Sequence, residues 1–182
     1  IGFNLGAYRY VMEDIQFWKS LSITLLRVVI GVPINILLVI LTTYPLSKAN
    51  SRFHGLTVFS WYFVFTMLFN GGMIPAYIVI SKLGLMNTIW ALTLPGAMNV
   101  SYMILMMNFF RGIPVEIEEA AVIDGASQPQ ILFRIFLPMS LPSLATIILF
   151  ATVANWNCWM DGYLYMNTPD KYPLQTYLAT VL

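Results

Sequence analysis

The chain is 182 residues long, and 59% of its residues are hydrophobic whereas only 9% are charged. This balance lies far outside the range of ordinary soluble domains and indicates a membrane protein. The nine Lys and Arg residues nearly cancel the eight Asp and Glu residues, and Cys158 is the single cysteine. The composition therefore excludes a basic surface for nucleic acid and an intrachain disulfide.

Four stretches of the chain are long and apolar enough to cross a bilayer as helices. A bilayer core about 30 Å thick needs about 20 consecutive apolar residues in a helix, and the polar-apolar alternation of barrel strands is absent. The sequence therefore predicts an all-α, polytopic transmembrane helix bundle in a single domain over residues 1–182. The predicted spans run from Leu21 to Ser47, from Gly55 to Ser81, from Leu83 to Phe110 and from Leu141 to about Tyr163.

Arg27 lies inside the first predicted span. An ionisable residue at that depth is by default a candidate functional residue. We favour the alternative, in which its long side chain snorkels to the outer interface, and we do not count it as a site residue. Pro33, Pro75 and Pro95 lie inside or near the ends of the apolar runs, where each removes a donor and is expected to kink its helix.

The polar segment at about residues 111–138, between the third and fourth spans, is predicted to fold as a helix, a tight turn and a second helix. Asp124 and Gly125 suit the turn, because glycine adopts the left-handed conformation at a helix C-terminus without steric cost. Ser127 and Pro129 suit the first turn of the second helix, and Pro138 is expected to end it. We call this segment the elbow.

Each predicted helix of the elbow has a patterned face. In the first helix, the small-residue face that another protein could approach closely consists of Ile113, Ile117, Ala120 and Ala121, flanked by Glu116 and Glu119. In the second helix, the residues that share one apolar side are Ile131, Leu132, Ile135 and Phe136.

The elbow resembles the cytoplasmic loop of the ABC importer permeases. That loop has the pattern Glu-Ala-Ala, three residues, Gly, nine residues, Ile, any residue, Leu and Pro. The positions that match this pattern are Glu119, Ala120, Ala121, Gly125, Ile135, Leu137 and Pro138. We include Asp124, which precedes the glycine, in the predicted coupling site. In that family the loop contains the coupling helix, which sits in a groove of the ATP-binding subunit. An ordinary amphipathic hairpin is the alternative, but agreement at every specified position favours the coupling loop.

The resemblance extends over nearly the whole chain. The stretches GGMIPAY at Gly71, LGLMNTIWAL at Leu83 and NWNCW at Asn155 are similar to carbohydrate importer permeases, particularly those for complex oligosaccharides. The resemblance implies a type I permease fold of six spans in the bacterial inner membrane. Four of these spans are visible in this sequence. The implied partners are two ATP-binding subunits that hold ATP and Mg²⁺, a second homologous permease and an extracytoplasmic solute-binding protein. No cofactor is expected in this chain. The resemblance makes the elbow cytoplasmic, a question that the balanced Lys and Arg counts of the short loops do not decide.

A polar and aromatic cluster lies near the end of the fourth span. Aromatic rings cover the apolar face of a pyranose, while amides and carboxylates bind its hydroxyl groups. The predicted substrate-path residues are Asn155, Trp156, Asn157 and Trp159. The alternative is an interfacial aromatic belt with Asp161 in water.

Two other classes of membrane protein fit the sequence poorly. An intramembrane enzyme needs a nucleophile with its base or a set of metal ligands, yet the single histidine, His54, lies in a polar connector. An ion-coupled transporter usually has buried carboxylates, and none lies in the middle of a predicted span. A phosphate-binding loop of the Gly-x-x-x-x-Gly-Lys-Ser/Thr type is also absent from the sequence. The predicted protein is thus a transport subunit whose ATPase is another chain.

Overall fold

The computed structural model describes residues 13–48 and 55–181; His54 lies outside the described residues. The described part is helical and has no strand. Its helices are α1 (Ile15–Ser47), α2 (Leu56–Leu68), α3 (Met73–Lys82), α4 (Ile89–Thr93), α5 (Val100–Arg111), α6 (Val115–Ile123), α7 (Gln128–Met139), α8 (Leu141–Asn157), α9 (Met160–Tyr165) and α10 (Leu174–Val181). A 3-10 turn, Pro169–Lys171, precedes α10.

Helix α1 is a continuous helix of 33 residues, and it begins at Ile15 rather than at the predicted Leu21. Pro33 lies within it without ending it. Asp14 precedes the helix and accepts a hydrogen bond from the Tyr177 hydroxyl and another, of 2.8 Å, from the backbone N–H of Gln16. Both bonds favour the charged carboxylate and so hold the pKa of Asp14 below its usual value, and the Tyr177 bond has the larger effect.

The other three predicted runs are interrupted rather than continuous. The run from Gly55 to Ser81 breaks between α2 and α3, where Gly72 has a φ of 86°. The run from Leu83 to Phe110 is divided into α4 and α5, and the Asn99 side chain caps α5 by accepting from the backbone N–H of Ser101 at 2.9 Å. The fourth run breaks between α8 and α9.

By length and composition, one described helix, α1, is apolar enough to cross a membrane by itself. The bent pairs α2 with α3 and α7 with α8 each meet the same criterion only if the pair is taken as one span. The apolar runs are interrupted at residues that favour turns. A hydropathy profile does not show these interruptions, because it measures solvent preference and not where backbone hydrogen bonds stop.

The described residues form two compact units, and α1 and α8 contribute to both. The first unit contains 13–33, 71–97 and 151–181, and its apolar core consists of Ile80, Ala91, Leu92, Tyr165 and Met166. The second unit contains 34–48, 55–70 and 98–150. Its main core consists of Val39, Ile40, Tyr44, Met106, Phe110, Ile131, Leu132, Phe136 and Ile147. The elbow belongs to the second unit.

Candidate functional site

The turn of the elbow has the geometry that its glycine predicts. Helix α6 ends at Ile123, and Gly125 has a φ of 78°, in the left-handed region. The Gly125 N–H donates to the Val122 carbonyl at 3.0 Å, and the Ala126 N–H donates to the Ala121 carbonyl at 2.9 Å. This pair of bonds is the Schellman pattern, which satisfies carbonyl groups at a helix end. The predicted helix stop at Gly125 is therefore confirmed.

Helix α7 begins as predicted but ends differently. Its first turn is closed by Gln130, whose Oε1 accepts from the Ser127 N–H at 2.8 Å and from the Ser127 hydroxyl at 3.0 Å. A π-helical segment, Leu132–Phe136, lies in its middle. The prediction that Pro138 ends the helix is wrong: α7 continues to Met139, so the missing N–H of Pro138 removes one bond without stopping the helix there.

The predicted small-residue face of α6 is divided in the structure. Ile113 and Ala121 pack against the core of their own unit, so they are not free for a partner. Glu119 and Ala120 are exposed, as is Glu116. The chain's own core therefore covers part of the predicted face, and contact of the face with another protein stays a prediction.

The remaining coupling residues lie on two sides of the elbow. Asp124, Gly125 and Pro138 are exposed, whereas Ile135 and Leu137 pack against the core. A groove of about 290 Å³ opens beside the turn. It is lined by Asp124, Gly125, Ala126, Gln130, Arg134 and Ile135. The elbow thus presents an acidic and a basic side chain beside its turn, and the coupling role of these residues stays a prediction.

Residues at the end of α1 contact the elbow, a contact that the sequence pattern did not predict. Lys48, which follows α1 directly, forms an ion pair with Glu118 of α6 at 2.7 Å. Its ammonium group lies 4.1 Å from the ring centroids of Tyr44 and of Phe136. Glu118 is the residue that could have indicated this contact. It is a carboxylate on the side of α6 that packs inward, where a charge requires a partner.

Arg27 does not snorkel. Its side chain is 5% exposed and forms an ion pair with Asp161, whose side chain is 17% exposed. The guanidinium also donates to the Cys158 carbonyl at 3.2 Å and to the Asn155 Oδ1 at 3.4 Å. The preferred interpretation of Arg27 is therefore wrong, and so is the placement of Asp161 in water. The pair was missed because its two residues are 134 positions apart in the sequence.

The break between α8 and α9 exposes backbone carbonyls that other elements satisfy. Arg27 donates to the Cys158 carbonyl, as above, and the Thr176 hydroxyl donates to the Trp159 carbonyl at 2.7 Å. Gly162 packs so closely that an added Cβ would overlap the Thr176 hydroxyl. The interruption is thus supported by specific contacts that satisfy its backbone carbonyls.

The four predicted substrate-path residues differ in environment. Asn155 and Trp156 are half-buried, and the Asn155 amide donates to the Ala151 carbonyl at 2.9 Å while its oxygen accepts from Arg27. Asn157 and Trp159 are exposed, Trp159 to 45%. The structure places the latter two at the break between α8 and α9. Their contact with a saccharide stays a prediction.

The described part of the chain is thus an apolar helical membrane chain with a capped helix-turn-helix elbow. A family model described as binding-protein-dependent transport system inner membrane component matches residues 16–170. The chain belongs to this family. The predicted transport class, rather than an enzyme, is thereby confirmed.

Individual relatives agree with this assignment. The polygalacturonan/rhamnogalacturonan transport system permease protein YtcP of Bacillus subtilis (strain 168) is 42% identical over 99% of this chain and 62% of its own length. The arabinooligosaccharides transport system permease protein AraQ of Halalkalibacterium halodurans is 32% identical over 60% of this chain and 39% of its own length.

A solved structure supports the same fold. In the crystal structure of a bacterial ABC transporter involved in the import of the acidic polysaccharide alginate, one chain has a TM-score of 0.94 and 36% identity, covering 99% of this chain and 64% of that one. This chain therefore spans less than two thirds of the length of YtcP and of that solved chain. The all-α permease fold is confirmed.

Proposed function

We propose that this chain is part of the permease subunit of an ATP-driven importer, and that its elbow docks on a separate ATPase subunit. The observation that supports the proposal most is the elbow itself, in which Glu119 and Gly125 are exposed at a capped turn. An exposed carboxylate on a rigid helix can form a charge-assisted contact with a basic residue of the partner.

The assembly that we propose has two ATP-binding subunits, which hold ATP and Mg²⁺, a second homologous permease and an extracytoplasmic solute-binding protein. The permease crosses the inner membrane several times, with the elbow on the cytoplasmic side, where ATP is present. The family assignment and the apolar helices, α1 above all, support this arrangement.

The proposed substrate is an oligosaccharide. The relatives and the solved structure are described by polygalacturonan/rhamnogalacturonan, arabinooligosaccharides and alginate, which share the sugar ring as their chemical unit. Trp159 and Asn157, exposed at the break between α8 and α9, offer a stacking surface and an amide for such a ring. Oligogalacturonate and arabino-oligosaccharide are therefore the two probes with which we would begin.

The test uses the full-length permease, reconstituted with its partner subunits in liposomes. Glu119→Lys should weaken retention of the ATPase on purification, or abolish saccharide stimulation of ATP hydrolysis, because it places a cation against the expected basic partner. Lys82→Glu is the matched control, since Lys82 is an exposed charge at the end of α3, in the unit that does not contain the elbow. Equal ATPase retention and stimulation in both variants and the wild type would contradict the docking assignment.

A further inference from the structure

The end of α1 contacts both helices of the elbow through two side chains. Lys48 binds Glu118 of α6 at 2.7 Å. Four positions earlier, and thus on the same side of the chain, the Tyr44 hydroxyl donates to the Gln128 Oε1 at the start of α7 at 2.7 Å. We call Tyr44, Lys48, Glu118 and Gln128 the α1 link.

The Lys48 ammonium of the α1 link lies against aromatic rings. The Tyr44 and Phe136 rings pack edge to face at 5.2 Å, and the Phe110 ring lies 5.4 Å from that of Phe136. The Lys48 ammonium lies over two of these rings, so its charge is balanced by a carboxylate and by the negative faces of the rings. These contacts place the Lys48 ammonium between a carboxylate and two aromatic rings.

Burial makes the geometry of the ion pair specific. The Lys48 and Glu118 side chains are 13% and 10% exposed. Removing two charges from water costs free energy that their attraction offsets only when the groups are held close together and well oriented. Any movement of α6 that separated Glu118 from Lys48 would break an ion pair between two largely buried charges. Helix α6 and the end of α1 are therefore expected to move together.

Neighbouring positions of α6 face opposite environments. Glu118 is buried beside Lys48, whereas Glu119 is exposed where the ATPase is proposed to dock. Helix α6 is short, with the proposed ATPase on one side and α1 on the other. A rigid helix in that position transmits displacement of the ATPase to α1. We propose that Tyr44 and Lys48 are positioning residues through which elbow movement is passed to α1. This inference rests on the proposed docking function.

The experiment measures coupling rather than assembly alone, in the full-length complex reconstituted with its ATPase and binding protein. The double variant Lys48→Met/Glu118→Leu removes both buried charges and keeps apolar bulk, so that neither charge is left unpaired. We expect normal ATPase retention, because Glu119 is unchanged. Saccharide uptake per ATP hydrolysed should fall by at least about fivefold, the lower end of typical coupling factors between sites.

Three further variants separate positioning from simple stabilisation. Lys48→Arg keeps a cation that stacks on aromatic rings and binds carboxylates, and should restore most of the coupling. Tyr44→Phe keeps the ring and removes the hydroxyl that bonds Gln128, and should lower the uptake-to-hydrolysis ratio less than the double variant does. Lys19→Met/Asp170→Asn removes an exposed ion pair, at 52% and 69% side-chain exposure, and should leave the ratio unchanged.

The outcomes distinguish the link from the function on which it rests. A wild-type ratio of uptake to hydrolysis in Lys48→Met/Glu118→Leu, at normal abundance, overturns the link alone. Loss of ATPase retention in that variant also overturns it, since the link then acts in assembly. Absence of saccharide-stimulated hydrolysis in the wild-type complex, with both saccharide probes, overturns the proposed function and the link together.

Discussion

Replacing Gly125 should disturb the elbow through its backbone alone. A Cβ at this position would meet nothing within 4 Å, so steric contact contributes no cost, whereas the φ of 78° lies in a region that side chains disfavour. The left-handed conformation costs an L-residue about 1–2 kcal/mol. That free energy changes the ratio of formed to disrupted turn by a factor of about 5 to 30.

The substituting residue and the site can each be varied to test this reasoning. Gly125→Val should lose ATPase retention or saccharide-stimulated hydrolysis, because a β-branched residue is poorly tolerated at positive φ. Gly125→Asn should lose less, since asparagine enters this region more readily. Gly96 is the matched control position, because a Cβ there also meets nothing within 4 Å and its φ lies outside the left-handed region.

The assay is co-purification of the ATPase with the full-length permease, followed by hydrolysis with and without saccharide. The expected order of defect is Gly125→Val, then Gly125→Asn, then Gly96→Val, the last close to wild type. If Gly125→Val and Gly125→Asn are equally impaired, the backbone explanation fails. If both behave as wild type, the turn itself is unnecessary for coupling.

Two more predictions concern the break between α8 and α9. Arg27→Met should lower membrane abundance, because it leaves the Asp161 carboxylate buried without its partner at a cost of about 3–5 kcal/mol. The double variant Arg27→Met/Asp161→Leu should recover much of that abundance. Quantitative immunoblotting measures the abundance, and no recovery in the double variant would contradict the prediction. Trp159→Ala should weaken saccharide uptake at equal abundance, because it loses stacking on the order of 1 kcal/mol. Trp18→Ala, which removes another exposed tryptophan, should leave uptake unchanged. Equal uptake by the two variants would favour an aromatic belt.

The boundaries of the elbow were predictable because they depend on local chemistry. Gly125 and Ser127 act on backbone groups within a few residues of themselves, so the helix stop and the following start are visible in the sequence. The same holds for the apolar side of α7, where Ile131 and Phe136 are buried as the helical spacing predicts.

The interruptions of the apolar runs were only partly predictable. Pro75 and Pro95 indicated kinks, yet the break between α8 and α9 contains no proline, and its carbonyls are satisfied by Arg27 and Thr176 from other parts of the chain. A hydropathy profile is the same for a continuous and a broken apolar helix, because it measures solvent preference and not hydrogen bonding.

Composition and local pattern by themselves determined that this protein is an all-α membrane chain with a capped elbow, since run length and turn chemistry are properties of neighbouring residues. Tertiary structure decided the partners of the buried charges. Arg27 has the same sequence context whether it snorkels or pairs with Asp161, and Glu118 differs from Glu119 only in the side of α6 that the core covers. A charge in an apolar environment needs a counter-charge close in space, and packing alone brings residues that are distant in sequence to that separation.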